Sequence, residues 1–303
     1  MAKYPKMNLI SFQKQFSTHE ACHDHLFNLK WENSFSCEKC GHDAYFETKT
    51  RKLHLYECKK CRYQSTVTVG TVMEKTRTDL SKWFLAIYLI AHDKRGITAF
   101  KLSEEIEVTY KTAWLMLHKI RQAMRKRDAE YTLAGIVELD DAFFGAPSEG
   151  GKRGRGTEKT KVLVGLSLNK QGHPLYLKME VVPDIKGKTL KDFAEKRIVP
   201  GTTISSDAYH SYRALDDAGF NHEYQVFNAK ETPDHLHWLH TVISNAKAFI
   251  GGTFHGLDSK HLQGYLDEFC YRFNRRKFKG EWFSRLISLC TNTKTITHSE
   301  LVG

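Results

Sequence analysis

The chain has 303 residues, of which 41% are hydrophobic and 27% charged, a composition typical of globular proteins long enough for two or three domains. Lysine and arginine number 46 against 35 aspartates and glutamates, which leaves a formal net charge of +11. This excess favours a polyanionic partner, because cationic side chains neutralise phosphates and release their counterions. The sequence contains no apolar run of about 18 residues, which excludes a membrane-spanning helix.

The first residues, MAKYPKMNLISFQKQF, lack the apolar core of a signal peptide, so we expect a cytoplasmic protein. Seven cysteines, an odd number, argue against a disulfide framework. We also find no basic amphipathic helix with a broad apolar face, so we expect no membrane partner.

Four segments with different sequence patterns follow one another along the chain. Residues 1–35 have apolar positions at helical spacing, 36–75 contain cysteine pairs and short alternating strands, and 79–127 return to a helical pattern. Residues 134–280 alternate between strand and helix patterns, which is typical of an α/β layer fold. Within them, three strands over 134–144, 161–168 and 174–182 predict an antiparallel meander. Helices are expected over 188–198, from Tyr209 and over 234–249, and strands over 202–206 and 224–227.

Two CxxC motifs predict a zinc site in the second segment. Each motif lets two thiolates approach one ion from a tight turn, and the intervening hairpin brings the pairs together. Gly41 suits a left-handed turn after the first motif. The expected structural zinc ligands are Cys37, Cys40, Cys58 and Cys61. Two separate redox dithiols are the alternative.

Residues 97–124 predict a helix-turn-helix. The turn lies at 107–109, Thr109 can cap the second helix, and Ala113, Leu117 and Ile120 of that helix would face inward. A plain helical hairpin is the alternative interpretation. The side chains left to meet a DNA groove and phosphates are Lys111, Thr112, His118 and Lys119.

Two predicted strands of the α/β region carry carboxylate side chains. Val137 and Leu139 would face the core, while Asp140 alternates onto the polar side of the same strand. Asp207 ends a later strand, where it can bind a cation with Asp140 or cap the helix from Tyr209, or do both.

A helix over 234–249 offers the third element of a site. His240 and Lys247 lie seven residues apart, on one face, while Asn245 lies elsewhere on the surface. A histidine can complete a Mg²⁺ or Mn²⁺ site, although hard cations prefer oxygen. The alternative is an ordinary amphipathic helix.

With these residues the chain resembles insertion-sequence transposases that carry an N-terminal zinc ribbon and an ISXO-like DDE domain of the ribonuclease H type. The resemblance covers roughly residues 15–280. Besides the cysteine pairs, it is carried by Val137–Gly145, the glycine- and arginine-rich loop, Ser205–Asp207, His240–Phe249, Gly252–Gly256 and Tyr265–Arg276.

The resemblance implies a ribonuclease H-like mixed sheet flanked by helices, with Asp140 and Asp207 as the first two metal-binding acids. It places the third ligand on the late helix, where most DDE enzymes have Glu and this sequence has His240, with Asn245 as second choice. Asp141 is a weaker alternative to Asp140, because alternation points it to the other face. The resemblance also implies a basic residue two helical turns after the third ligand, and Lys247 has that spacing from His240.

The resulting hypothesis is a transposase that cleaves and joins DNA by two-metal phosphoryl transfer, with Asp140 bridging both ions. We expect four parts: a helical segment and zinc ribbon over 1–75, a helix-turn-helix domain over 76–130, the DDE domain over 131–280 and a tail over 281–303. The alternatives are a non-catalytic DNA-binding relative and a ribonuclease H-like nuclease.

The expected partners are the terminal inverted repeats of the element, target DNA and further copies of the chain; in the cytoplasm such a protein would associate with the nucleoid. Two basic stretches either follow DNA phosphates or form solvated surface. Their candidate DNA-binding residues are Lys152, Arg153, Arg155, Arg275 and Arg276.

Overall fold

A computed structural model describes residues 5–32, 34–50, 53–145, 154–226, 232 and 234–302. Residue contacts divide the chain into two compact units, 1–126 with 278–303 and 127–277. Within the described ranges, no helix has the length and apolar character needed to cross a membrane. The predicted boundaries inside the first unit stay predictions.

The first unit combines a three-stranded sheet with helices. Side-chain caps begin three of the helices: Asn8 accepts from Ser11 N–H in a capping box, and Thr18 and Thr98 each accept from the backbone N–H three residues later. The elements are α1 (Leu9–Gln15), α2 (His19–Trp31), β1 (Tyr45–Thr48), β2 (Leu55–Cys58), β3 (Gln64–Ser65), α3 (Leu80–His92), α4 (Ala99–Glu105), α5 (Tyr110–Ala129), α9 (Trp282–Thr291) and α10 (His298–Val302), of which α5 continues past residue 126.

An aromatic cluster forms part of the core of this unit. Phe12 of α1 lies 4.5 Å from Tyr88 of α3 and 5.3 Å from Phe283 of α9, measured between ring centroids. Phe84 and Phe283 are fully buried. Large buried aromatic rings of this kind carry much of the apolar burial that stabilises a core. Residues 282–291, which we predicted as part of a tail, therefore belong to the folded first unit.

The second unit is built on a five-stranded mixed sheet. The strands β4, β5 and β6 form the antiparallel meander that the sequence predicts, and β7 and β8 run parallel to β4, in the order β6-β5-β4-β7-β8. The elements are β4 (Ile136–Phe144), β5 (Thr160–Leu168), β6 (Pro174–Val182), α6 (Gly187–Arg197), β7 (Thr203–Asp207), β8 (Asn221–Gln225), α7 (His237–Thr253) and α8 (Leu262–Asn274).

Helices cover both faces of this sheet. Alternate residues of β4 point to opposite sides: Val137 and Leu139 pack with α6, whereas Ala142 and Phe144 pack with α7 and α8. This α/β arrangement, preceded by a small ribbon and helices, confirms the expected fold class. The segment from Tyr209 differs from expectation because it is a 3-10 helix over His210–Ala218. The last strand begins earlier than predicted, and Phe227 lies outside the described residues.

A buried polar network ties the end of α8 to the sheet and to Asp128. The Asn274 side chain accepts from Leu177 N–H at 2.7 Å and donates to the Asp128 carboxylate at 2.9 Å. The Arg275 guanidinium donates to the other Asp128 oxygen at 2.6 Å. Asp128 is only 6% exposed, so its charge depends on these donors rather than on water.

We expect Asp128→Ala to lower the free energy of unfolding by about 3–5 kcal/mol, because it removes the carboxylate that forms an ion pair with the half-buried Arg275 guanidinium. Glu130→Ala, which breaks an exposed pair with Arg127, should change it by less than about 1 kcal/mol. Urea denaturation followed by circular dichroism measures both. Equal effects of the two substitutions would contradict this account of the network.

Candidate active site and metal centre

The four predicted cysteine ligands come together in the first unit. Sulfur–sulfur distances are 3.6 Å for both Cys37–Cys61 and Cys40–Cys58, and ligand atoms of all four lie within 4.8 Å of one another. A tetrahedral zinc ion with about 2.3 Å bonds needs sulfur atoms about 3.8 Å apart. The cluster therefore fits a structural zinc ion.

Two similar backbone turns create this cluster. Gly41 donates its N–H to Cys37 O with φ of 70°, as expected, and Arg62 donates to Cys58 O with φ of 59°. Antiparallel pairing of β1 with β2 places Tyr45 opposite Cys58, which brings the second turn to the first. The local fold thus positions two thiols from each turn.

The second unit brings Asp140 and Asp207 to adjacent strands. Parallel β4 and β7 pair Glu138 with Ser205, and each aspartate lies two residues beyond its member of that pair. Because side chains alternate with a period of two, both aspartates share the face of Glu138 and Ser205. Their strands are neighbours, which lie about 4.8 Å apart in a sheet.

His240 lies beside the first of these carboxylates. Its Nε2 is 3.4 Å from Asp140 Oδ2, while Asp140 Oδ1 accepts from Asp141 N–H at 2.7 Å. The hydrogen bond with Asp140 raises the pKa of His240 above 6.5, although partial burial opposes the rise. The early part of α7 therefore places an imidazole at the acidic edge of the sheet.

Glu138 fixes the start of that helix. Its carboxylate is 8% exposed and accepts from Leu239 N–H at 3.0 Å, in the first turn of α7. Burial raises the pKa of Glu138, and the hydrogen bond from Leu239 opposes the rise. A carboxylate at this end of a helix also meets the positive end of the helix dipole. We did not predict this contact, because Leu239 lies about a hundred residues away in sequence.

Arg155 links Asp141 to Asp207. Its Nη2 donates to Asp141 Oδ1 at 2.6 Å and to Asp207 Oδ2 at 2.7 Å, and its guanidinium lies 3.8 Å from the Tyr209 ring centre. Burial alone would lower the pKa of Arg155, but the hydrogen bonds to Asp207 and Asp141 raise it overall. Arg155, predicted to contact DNA phosphates, is therefore engaged inside the acidic cluster.

Asp141 faces away from His240, as strand alternation predicts. Its side chain is 3% exposed and also accepts from the Tyr212 hydroxyl at 3.3 Å. Burial raises the pKa of Asp141, while the Arg155 hydrogen bonds oppose the rise. Burial, together with the nearby carboxylates, raises the pKa of Tyr212. Asp207 also accepts from Tyr209 N–H at 3.1 Å, so its predicted turn-capping contact is present.

The carboxylates offer oxygen donors suited to a hard cation; Asp141 and Asp207 contact Arg155, and Asp140 contacts His240. Among the described residues, however, only the cysteine cluster brings three or more metal-type ligand atoms within 4.8 Å of one another. Asp207 is bonded to Arg155 and Asp140 is near His240. The donor types fit a divalent ion, and closer convergence needs side-chain movement.

The other predicted residues of α7 are exposed. Lys247 lies two turns beyond His240 on the same face, whereas Asn245 lies about 140° around the helix from His240. The structure thus places His240, rather than Asn245, against Asp140.

Several residues of the predicted DNA-contacting set have partners within the protein. His118 is 5% exposed and its ring lies 4.1 Å from the Trp114 ring, so it is not free to enter a groove. Arg275 donates to Asp128, and Arg276 donates to the carbonyls of Leu175 and Pro174; their phosphate contacts stay predictions. The acceptors of both guanidinium groups lie in the same unit but far away in the sequence. Lys152 and Arg153 lie outside the described residues.

The helix-turn-helix segment forms α4 and α5. Thr109 Oγ1 accepts from Thr112 N–H at 3.3 Å, and Ala113, Leu117 and Ile120 are buried as predicted. Lys111 is exposed, whereas Thr112 and Lys119 are half-buried.

Comparison with known proteins gives two family matches. Residues 132–274 match the ISXO2-like transposase domain, and residues 17–64 match the transposase zinc-ribbon domain. A protein in transposable element ISH50 of Halobacterium salinarum is 26% identical over 86% of this chain and 92% of its own length. A transposase-like protein of Haemophilus influenzae is 25% identical over 33% of this chain and 83% of its own length.

Among solved structures, the Mos1 transposase paired-end complex with left transposon end is 12% identical, covers 68% of this chain and 78% of that chain, and has a TM-score of 0.22. The two family matches place a transposase zinc ribbon before an ISXO2-like domain, in the order that the fold shows. Residues 17–64 therefore form a transposase zinc-ribbon domain, and residues 132–274 an ISXO2-like transposase domain.

Proposed function

We propose that the chain cleaves the ends of an insertion sequence and joins them to target DNA by two-metal phosphoryl transfer. The observation that carries the proposal is the parallel register of β4 and β7, which gives Asp140 and Asp207 a shared face on neighbouring strands. DNA is the proposed substrate because the chain carries a net charge of +11 and matches transposase domains.

The proposed ligands of Mg²⁺ or Mn²⁺ are Asp140, Asp207 and His240, with Asp140 contributing to both sites. When bound, the ions activate the attacking water or 3′-hydroxyl and stabilise the leaving oxygen. Asp140 meanwhile orients His240 by the contact between their side chains at 3.4 Å. Exposed Lys247, two turns along α7, is the proposed contact for a DNA phosphate.

Arg155 has a proposed positioning role. In the structure it binds Asp207 Oδ2 and Asp141 Oδ1, which offsets repulsion between carboxylates in a partly buried cluster. Asp207 Oδ1 has only the Tyr209 N–H as its partner among the described contacts. Release of Oδ2 by Arg155 is the side-chain movement that would bring Asp207 toward Asp140 and His240.

Lys111, Thr112 and Lys119 of α5 are the proposed DNA contacts of the first unit. We also propose that the protein acts in the cytoplasm on nucleoid DNA, as a homo-oligomer that pairs the two terminal inverted repeats with target DNA. Zinc in the four-cysteine cluster is proposed to be structural, because four thiolates leave no open coordination position.

We expect Asp140→Asn and Asp207→Asn to lower cleavage of duplexes carrying the flanking inverted repeat by at least about a hundredfold in Mg²⁺, since charge stabilisation by such ions is worth several kcal/mol. Gel electrophoresis of labelled DNA measures cleavage and joining together. Asp217→Asn, at an exposed position, is the matched control and should cleave normally. Wild-type activity in either active-site variant would refute the assignment, and cleavage without joining would indicate a nuclease.

For the zinc centre we expect one ion per chain by atomic absorption, and its loss in Cys40→Ser. Loss of zinc should also unfold the ribbon, because binding free energy in such small modules is folding free energy. Cys22→Ala, at a buried cysteine outside the cluster, should keep the full zinc content. Retention of stoichiometric zinc by Cys40→Ser would contradict the four-ligand site.

In metal-free protein we expect His240 to titrate above 6.5, and Asp140→Asn to bring its pKa down toward that value. The folded pKa exceeds the unfolded one, so the stabilisation from this pair is present below pH 6.5 and is lost as pH rises through the folded pKa. Histidine NMR titration measures the shift, with Asp217→Asn as control. A midpoint at or below 6.5 in the wild-type chain would count against the Asp140–His240 contact.

A further inference from the structure

A cavity of about 660 Å³ lies in the first unit, between residues 75–78, the start of α5 and α10. Its volume falls in the range of about 300–1,000 Å³ that is typical of small-molecule sites. The cavity is distant in sequence from the carboxylates, and no role described above requires a concave site here.

Four cations line the cavity: Lys75, Arg77, Lys111 and Lys119. No lining residue is acidic, and within the described part of the chain none of these four forms a salt bridge. Burial lowers the pKa of Lys119, and the nearby charge of Glu74 opposes this shift. Concentrated positive charge in a concave site favours an anionic ligand.

Aromatic surface accompanies these charges. Trp83, Tyr110 and Trp114 all line the cavity, and Tyr110 is 55% exposed. The Trp83 indole donates to Thr76 Oγ1 at 2.8 Å, which fixes that wall. Flat aromatic rings beside cations are the combination that binds single-stranded nucleic acid, because bases stack on the rings while phosphates contact the cations.

The arrangement of α5 also differs from a helix that reads a groove. Lys111 and Lys119 line a concave wall, and His118 between them is buried, so these residues do not form one projecting ridge. Lys75, which also lines the cavity, has a left-handed backbone with φ of 57°, which is unfavourable for a residue with a Cβ. Strain of this kind is concentrated at functional sites.

We infer that this cavity binds an unstacked nucleotide of DNA, with its base against the aromatic wall of Tyr110 and Trp114 and its phosphates toward Lys111 and Lys119. This inference rests on the proposed action on DNA. It adds a single-strand site to the first unit, which would hold a nucleotide that has left the duplex at a frayed or cleaved end.

The test is fluorescence anisotropy of the full-length, zinc-loaded chain with labelled pentathymidylate, and separately with a labelled duplex. Trp114→Ala should weaken pentathymidylate binding by roughly 5- to 150-fold, the loss expected for one stacked base. Lys111→Gln and Lys119→Gln should each reduce the salt dependence of log K by about 0.7. Lys94→Gln, an exposed lysine outside the cavity, is the charge-matched control and should change neither quantity.

An abasic oligomer of the same length separates base binding from phosphate binding, and it should bind more weakly by the factor seen for Trp114→Ala. Equal affinity for the abasic and thymidine oligomers would overturn the inference. Unchanged binding in Lys111→Gln would also overturn it, even if Trp114→Ala failed to fold. A chain that binds the duplex but not pentathymidylate refutes this site while leaving the proposed function intact, whereas a chain that binds neither refutes both.

Discussion

Because β4 and β7 pair in parallel, the residues two positions beyond Glu138 and Ser205 come side by side on one face of the sheet. A slip of one residue would carry Asp207 to the opposite face, since strand side chains alternate with a period of two. Hydrophobic burial holds the register: Val137 and Ile204 are paired, fully buried and packed in the same core as α6. The geometry of the carboxylate cluster therefore depends on a packing constraint from the far side of the sheet.

Hydrogen bonds and ion pairs then hold α7 and Arg155 close to these two aspartates. Glu138 accepts from the first turn of α7, which places His240 near Asp140, while Arg155 binds the acids on the other side. Asp140 and Asp141 are neighbours in the sequence but have different partners. Asp140 faces α7, and Asp141 holds Arg155 with help from Tyr212.

Features set by local pattern could be predicted from the sequence. Alternation in β4 separated Asp140 from Asp141, the cysteine spacing predicted the cluster in the ribbon, and capping chemistry located the start of α5 at Thr109. These are short-range signals, with periods of two or of 3.6 residues or fixed ligand spacings.

Long-range partners could not be predicted in this way. Arg275 and Arg276 look like solvated basic residues in sequence, yet their acceptors at 128 and 174–175 are about a hundred or more residues away. For His118, the helical period gives the inward face of α5 but does not identify the ring that packs against this side chain, here Trp114. The sequence identifies Arg155 as a basic residue, but it does not reveal that its carboxylate partners lie on β4 and β7.

The most direct test of the carboxylate site is anomalous X-ray diffraction from crystals of the full chain soaked in Mn²⁺. The account predicts a manganese peak coordinated jointly by the side chains of Asp140 and Asp207, with His240 beside it and Arg155 withdrawn from Asp207. Manganese bound elsewhere, or at only one of the two aspartates with Arg155 still in place at saturating metal, would contradict it.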